Sequence, residues 1–115
     1  MKTISVASID STNTYLKKLK KPNEDTLIIA KKQTGGRGTK GRSFICEEGG
    51  VYMSLLKLYP CKAEESFSIM MSSAVAVVNT LHAFDINAKI KWPNDIIVNG
   101  KKICGILIEN VFEGE

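Results

Sequence analysis

The sequence has little of what marks a secreted, membrane-bound or metal-built protein. Its three cysteines, Cys46, Cys61 and Cys104, are odd in number, and no two stand at C-x-x-C spacing. That argues against a disulfide framework or a cysteine metal site and for reduced thiols in the cytoplasm. No stretch approaches the roughly 20 apolar residues of a membrane span. The amino-terminal Met1-Lys2-Thr3-Ile4-Ser5-Val6 turns polar before a signal-peptide core could form. There is no internal repeat and no low-complexity linker.

What is there suits one domain with one core. The 115 residues are 43% hydrophobic and carry a formal net charge of +4. A pI near 9.0 suits a protein that handles anions, although solvated lysine faces give the same value.

Thr3 to Ser8 is expected as a strand. Asp10-Ser11-Thr12-Asn13 is a helix-start signal, followed by a short helix with Tyr15, Leu16 and Leu19 on one stripe and broken at Pro22. Thr26 to Ala30 is a second strand. Gly49-Gly50 is a turn before a strand from Val51 to Leu58, with Val51, Met53 and Leu55 on one face and Tyr52, Ser54 and Leu56 on the other. Glu64 to Phe84 is the strongest helix. Phe67, Met70, Met71, Ala74, Val75, Val78 and Leu81 recur every three or four residues and predict its buried face. Ala88 to Lys91 begins a strand interrupted by Trp92-Pro93. Asp95 to Val98 and Lys101 to Ile108 then form a hairpin about Asn99-Gly100. The fold class is α+β, a mixed, mainly antiparallel sheet with helices packed on it.

Two islands could carry chemistry. Lys31 to Arg42 holds five cations, four glycines and no acid. Glycines leave backbone N–H groups open to an anion, and guanidinium forks bind one bidentately, so the segment suits a polyphosphate. A solvated surface loop is the plain alternative. Gly36-x-Gly38-x-x-Gly41 matches a dinucleotide fingerprint, and Gly36 to Ser43 approaches a P-loop. Both need a helix directly afterwards, whereas Phe44-Ile45-Cys46 leads towards a strand. The second island is Lys91-Trp92-Pro93-Asn94-Asp95. Pro93 pushes Trp92 towards extended backbone. Lys102 opens the final strand, where Gly105 suggests a close approach to the backbone.

Together these motifs resemble biotin protein ligases. Ser11-Thr12-Asn13, Gln33-x-x-Gly36-Arg37-Gly38-x-x-Gly41-Arg42, Lys91-Trp92-Pro93-Asn94-Asp95 and Lys102-x-x-Gly105-Ile106-Leu107 with Glu109 follow in the family's order at compatible spacing. The resemblance covers nearly the whole chain. It implies the fold shared by class II aminoacyl-tRNA synthetases and biotin ligases, with residues 1–115 a catalytic domain incomplete at its C-terminus. No helix-turn-helix domain is expected before it and no SH3-like domain after it.

The resemblance implies that ATP and biotin give biotinyl-5′-AMP, with Mg2+ assisting, and that biotin passes to a lysine of a biotin carboxyl carrier protein. Ser11, Thr12, Asn13, Gln33, Gly36, Arg37, Lys102 and Gly105 would bind biotin, with Lys102 and Arg37 catalytic. Lys40, Arg42, Phe44, Lys91, Trp92, Asn94 and Asp95 would serve the nucleotide, and Asp95 is the one candidate metal ligand. A carboxylate attacking a negative α-phosphate needs such cations and N–H donors. The resulting anhydride must be kept from water. Thr39 departs from the family, which usually has another arginine there, and Phe44 stands where tryptophan is common. Neither DNA nor a membrane is an expected partner, and pairing of chains is left open. Other readings are a non-catalytic biotin- or adenylate-binding fragment, a lipoate-type ligase, and a small basic nucleic-acid-binding domain. The last lacks interleaved aromatics and a recognition helix.

Overall fold

In the computed structural model, residues 1–36, 46–58 and 62–110 are described. Arg37, Lys40, Arg42 and Phe44, with the rest of the cationic glycine segment beyond Gly36, lie outside them. The chain divides into two compact units, residues 1–60 and 61–115.

In the first unit, β1 (Lys2–Ile9) runs parallel to β2 (Thr26–Gln33), and β2 pairs antiparallel with β3 (Tyr52–Leu56), giving the order β1-β2-β3. A parallel pair needs a crossover, supplied here by α1 (Thr12–Lys17). Ser11 starts this helix as its sequence suggests, its Oγ accepting the Thr14 N–H at 3.2 Å. The end differs from expectation: α1 stops at Lys17, well before Pro22. The N–H groups of Lys18 and Leu19 bond back three residues, to Tyr15 and Leu16, and Lys21 takes a left-handed φ of 47°. The chain has to double back early enough to start β2 beside Lys2.

β2 alternates over its first five residues. Thr26, Ile28 and Ala30 are buried, and Leu16 of α1 is buried with them. The strand also runs three residues past its expected end at Ala30. Lys32 and Gln33 pair with Ser8 and Ile9, and the Gln33 N–H donates to the Cys46 carbonyl at 3.0 Å. β3 is shorter than expected, and its two faces separate as the alternation predicts. Ser54 is buried, while Val51, Met53 and Leu55 lie exposed.

The second unit packs α2 (Ser66–Ala83) on a meander of β4 (Lys89–Lys91), β5 (Asp95–Val98) and β6 (Lys101–Gly105). A single 3-10 turn (Ala63–Glu65) replaces the expected first turn of α2. The core is Ala74, Ala88 and Ile96, with Val77, Val78, Leu81, Ile90, Val98, Cys104 and Ile106 packed around them. Phe67 and Val75, expected on the buried face, are 49% and 45% exposed. An 18-residue helix spans about 27 Å, and strands of three to five residues cover only part of that length. With 18 residues and a mean hydropathy of 1.2, α2 is by length and composition long and apolar enough to cross a membrane, which corrects the expectation that no stretch approaches a span.

Asn99 and Gly100 have φ of 52° and 78°, the two positive values a tight hairpin turn requires. The register shifts beyond Ile96: Ile96 faces Cys104 but Ile97 faces Lys102, so Ile103 is the extra residue of a bulge. β6 ends at Gly105, three residues sooner than the expected strand.

Candidate functional site

The parallel pairing of β1 and β2 brings the Ser11–Asn13 segment and Gln33, about twenty residues apart in sequence, to the same end of the first sheet. The Thr12 N–H donates to Gln33 Oε1 at 2.7 Å, and Thr12 Oγ1 lies 3.0 Å from the same oxygen. Thr12 Oγ1 also lies 2.6 Å from Ser54 Oγ, and Ser54 donates in turn to Asn13 Oδ1. On its other side, the Gln33 amide donates Nε2–H to Cys46 Sγ at 3.1 Å. Ser11, Thr12, Cys46 and Ser54 are all buried, and so is Gly36.

This cluster joins three of the residues singled out in the sequence, Thr12, Asn13 and Gln33, with Ser11 beside them as the helix cap. It adds two that were missed, Ser54 and Cys46. A signal for Ser54 was available: it is the one small hydroxyl residue on the Tyr52, Ser54, Leu56 face, which otherwise carries bulky side chains. Cys46 offered none, because its place depends on an isolated bridge to Gln33. Buried hydroxyls beside the half-buried Asn13 and Gln33 carboxamides suit a ligand rich in N–H and C=O groups, with the Asp10 carboxylate close by, accepting the Ser11 N–H at 2.8 Å.

In the second unit, Asp95 and Lys102 meet across the β5–β6 hairpin, with Lys102 Nζ 3.1 Å from Asp95 Oδ1. Both remain partly exposed, at 28% and 43% of side-chain area. Asn94 closes the end of the meander: its Nδ2 donates to the Ile106 carbonyl at 3.0 Å and its carbonyl accepts the Ile106 N–H at 3.1 Å. Trp92 is 68% exposed and tilts against Phe67, with ring centroids 5.9 Å apart. Lys91 is exposed, and so is Gly105 at the end of β6. The Trp92–Pro93 peptide bond is cis. Burial pushes the Cys104 thiol above its usual range, so it stays protonated despite the nearby Lys102. Among the described residues, no three His, Cys, Asp or Glu side chains are grouped to hold a metal.

The sequence matches the Biotin/lipoate A/B protein ligase family over residues 5–115. It is 46% identical over 88 residues to the bifunctional ligase/repressor BirA of Bacillus subtilis (strain 168), an alignment covering 75% of this chain and 27% of that protein. It is 30% identical over 113 residues to the biotin–[acetyl-CoA-carboxylase] ligase of Paracoccus denitrificans, covering 95% of this chain and 47% of that one. Among solved structures, the biotin protein ligase of Aquifex aeolicus in complex with biotin and ATP superposes with a TM-score of 0.72. It is 30% identical, covering 95% of this chain and 47% of that one. The chain thus spans less than half the length of these relatives.

Proposed function

Because the chain belongs to the Biotin/lipoate A/B protein ligase family, we propose that it forms the biotin-handling part of a biotin protein ligase. The Thr12–Gln33–Ser54 cluster is the observation that carries this reading. Its buried hydroxyls and half-buried carboxamides match the ureido ring of biotin, which offers N–H donors and one carbonyl acceptor. The Aquifex relative is described with biotin and ATP bound, which supports the same choice of ligands.

In this reading the biotin carboxylate attacks the α-phosphorus of ATP. A carbon–oxygen–phosphorus anhydride forms and pyrophosphate leaves. The amine of the acceptor lysine then attacks the activated carbonyl carbon and AMP departs. Ser11, Thr12, Asn13, Gln33 and Gly36 hold biotin, and Arg37 joins them from outside the described residues. Lys102 offers the two anions a positive charge that its pairing with Asp95 keeps in place. Asn94 acts through the backbone, fixing the hairpin that carries Lys102. Lys40, Arg42, Phe44, Lys91 and Trp92 serve the nucleotide. Asp95, a lone carboxylate already paired with a lysine, is a poor metal site by itself; magnesium would arrive on the phosphates of ATP and screen their charge there. A biotin carrier protein is the acceptor and the cytoplasm the compartment.

Isothermal titration with biotin, with and without ATP, tests this function. Saturable biotin binding that tightens with ATP is expected. No heat in either titration would refute the assignment.

A further inference from the structure

The outer face of the β4–β6 meander gathers three lysines. Ile90, Ile96 and Cys104 pair across the strands and turn to α2, so their neighbours turn the other way. Those neighbours are Lys89 and Lys91 on β4, Asp95 and Ile97 on β5, and Lys102 and Gly105 on β6. Lys89 and Lys102 both lie level with Ile97, one strand to each side, so about 10 Å separates their backbones. The Asn99-Gly100 turn sets this register, pairing Val98 with Lys101 and Ile97 with Lys102. Regular pairing beyond the turn would bring Cys104 opposite Asp95. The bulge at Ile103 brings Gly105 there instead and leaves that place without a side chain. Asp95 is the one acid among these six residues, and Lys102 lies against its carboxylate at 3.1 Å. Lys89 and Lys91 are exposed and have no ion pair among the described residues.

We infer that Lys89 is a further nucleotide-binding residue, holding the terminal phosphates of ATP that leave as pyrophosphate. The inference rests on reading the chain as a biotin protein ligase and extends that reading to a lysine outside the Lys91–Asp95 motif. Lys102 serves the α-phosphate at the β6 edge of the meander, where Gly105 leaves room beside it. From there the triphosphate runs over Ile97 towards β4, where Lys89 and Lys91 stand without a carboxylate of their own. A lysine ammonium is a point charge on a long flexible stem, so it can reach inward from an edge strand to a phosphate oxygen. β4 is such an edge. Edge strands also carry lysines merely to deter pairing with other chains. A lysine of that kind would leave nucleotide affinity alone, and this difference is what the experiment reads.

Titration calorimetry of the full chain with ATP, AMP and inorganic pyrophosphate, each with magnesium, tests this. Lys89→Met should bind ATP and pyrophosphate about tenfold more weakly than wild type, the lower end for a charge-assisted contact. AMP lacks the terminal phosphates, so its affinity should stay within about twofold, as should that of biotin. Lys89→Arg keeps the charge and should keep ATP affinity within about threefold. The loss in Lys89→Met should shrink as salt rises. Its melting temperature should hold, because Lys89 is exposed. Wild-type affinity for ATP in Lys89→Met overturns the inference and leaves the lysine as a guard of the edge strand. An equal loss of ATP and AMP overturns it too, since the charge would then act on the α-phosphate. A wild type that binds biotin but not ATP overturns this inference alone. One that binds neither refutes the ligase reading, and the inference falls with it.

Discussion

Replacing Lys102 by methionine separates a structural role from a chemical one. The Asp95–Lys102 pair has good geometry at 3.1 Å, but its members are 28% and 43% exposed. A solvent-screened pair of this kind contributes about 0.2–1 kcal/mol to stability. For a chain of this size, 1 kcal/mol corresponds to about 5 °C in melting temperature, so the variant should melt within about 5 °C of wild type. Methionine retains most of the apolar stem and so limits the loss of packing. The effect on chemistry should be far larger. A positive donor facing charge that develops in the transition state is worth about a hundred- to a thousandfold in rate. Biotin-dependent pyrophosphate release from ATP is the assay, run beside a thermal melt of the same sample. The expected result is a near-native melt with release reduced at least a hundredfold. Wild-type release in Lys102→Met would refute the assignment of Lys102 to the reacting anions. A fall in melting temperature well beyond 5 °C would show that the lysine is needed by the hairpin instead.

Three other perturbations have defined outcomes. Ile96→Ala removes a fully buried side chain packed with Ala74 and Ala88, and chemical denaturation should show a loss of about 2–5 kcal/mol. Asp25 accepts from Lys57 Nζ at 2.7 Å and from the Leu58 N–H at 2.9 Å, and these bonds, the lysine's first, hold its carboxyl below the usual 3.8. A lowered native value means that the stabilisation is present above about pH 3.8 and lost as pH falls through the depressed value. Asp25→Asn should therefore flatten the stability profile in that acid range, and an identical acid limb would count against the contact. At Gly50 an added Cβ would lie 2.4 Å from the Tyr52 hydroxyl, which donates to the Glu47 carbonyl. Gly50→Ala should displace the ring and cost about 0.5–1.5 kcal/mol, read by denaturation and by the tyrosine fluorescence or NMR signal.

The sequence was most legible where structure is local. The Ser11 cap, the strand at Thr26–Ala30, the Asn99-Gly100 turn and the existence of α2 each depend on a few neighbouring residues, and all four are found where expected. It was least legible where partners are distant. Lys31 to Gln33 have no strand-like pattern, yet main-chain pairing with β1 and the bridge to Cys46 hold them extended. The exposure of Phe67 and Val75 follows from the shortness of β4 to β6, which no periodicity within α2 reveals. The candidate site shows the same division. Thr12, Asn13 and Gln33 could be named from their motifs, whereas Ser54 joins them only through the register Ile28 to Ser54 in the neighbouring strand.

The parallel crossover through α1 has a practical consequence for dissecting the molecule. The Thr12–Gln33 contact forms at the ends of β1 and β2, while the chain returns at the opposite end, through residues 18–25 with the left-handed Lys21. Lys20, Lys21, Asn23 and Glu24 are exposed there. A peptide tag or a backbone nick at residues 20–24 would leave the pairing of Ser8 with Lys32 and of Ile9 with Gln33, at the other end of the strands, untouched. The turn is thus a natural attachment point for a fluorescent reporter, and the first place to divide the chain into complementing fragments whose reassembly rebuilds the Thr12–Gln33 contact.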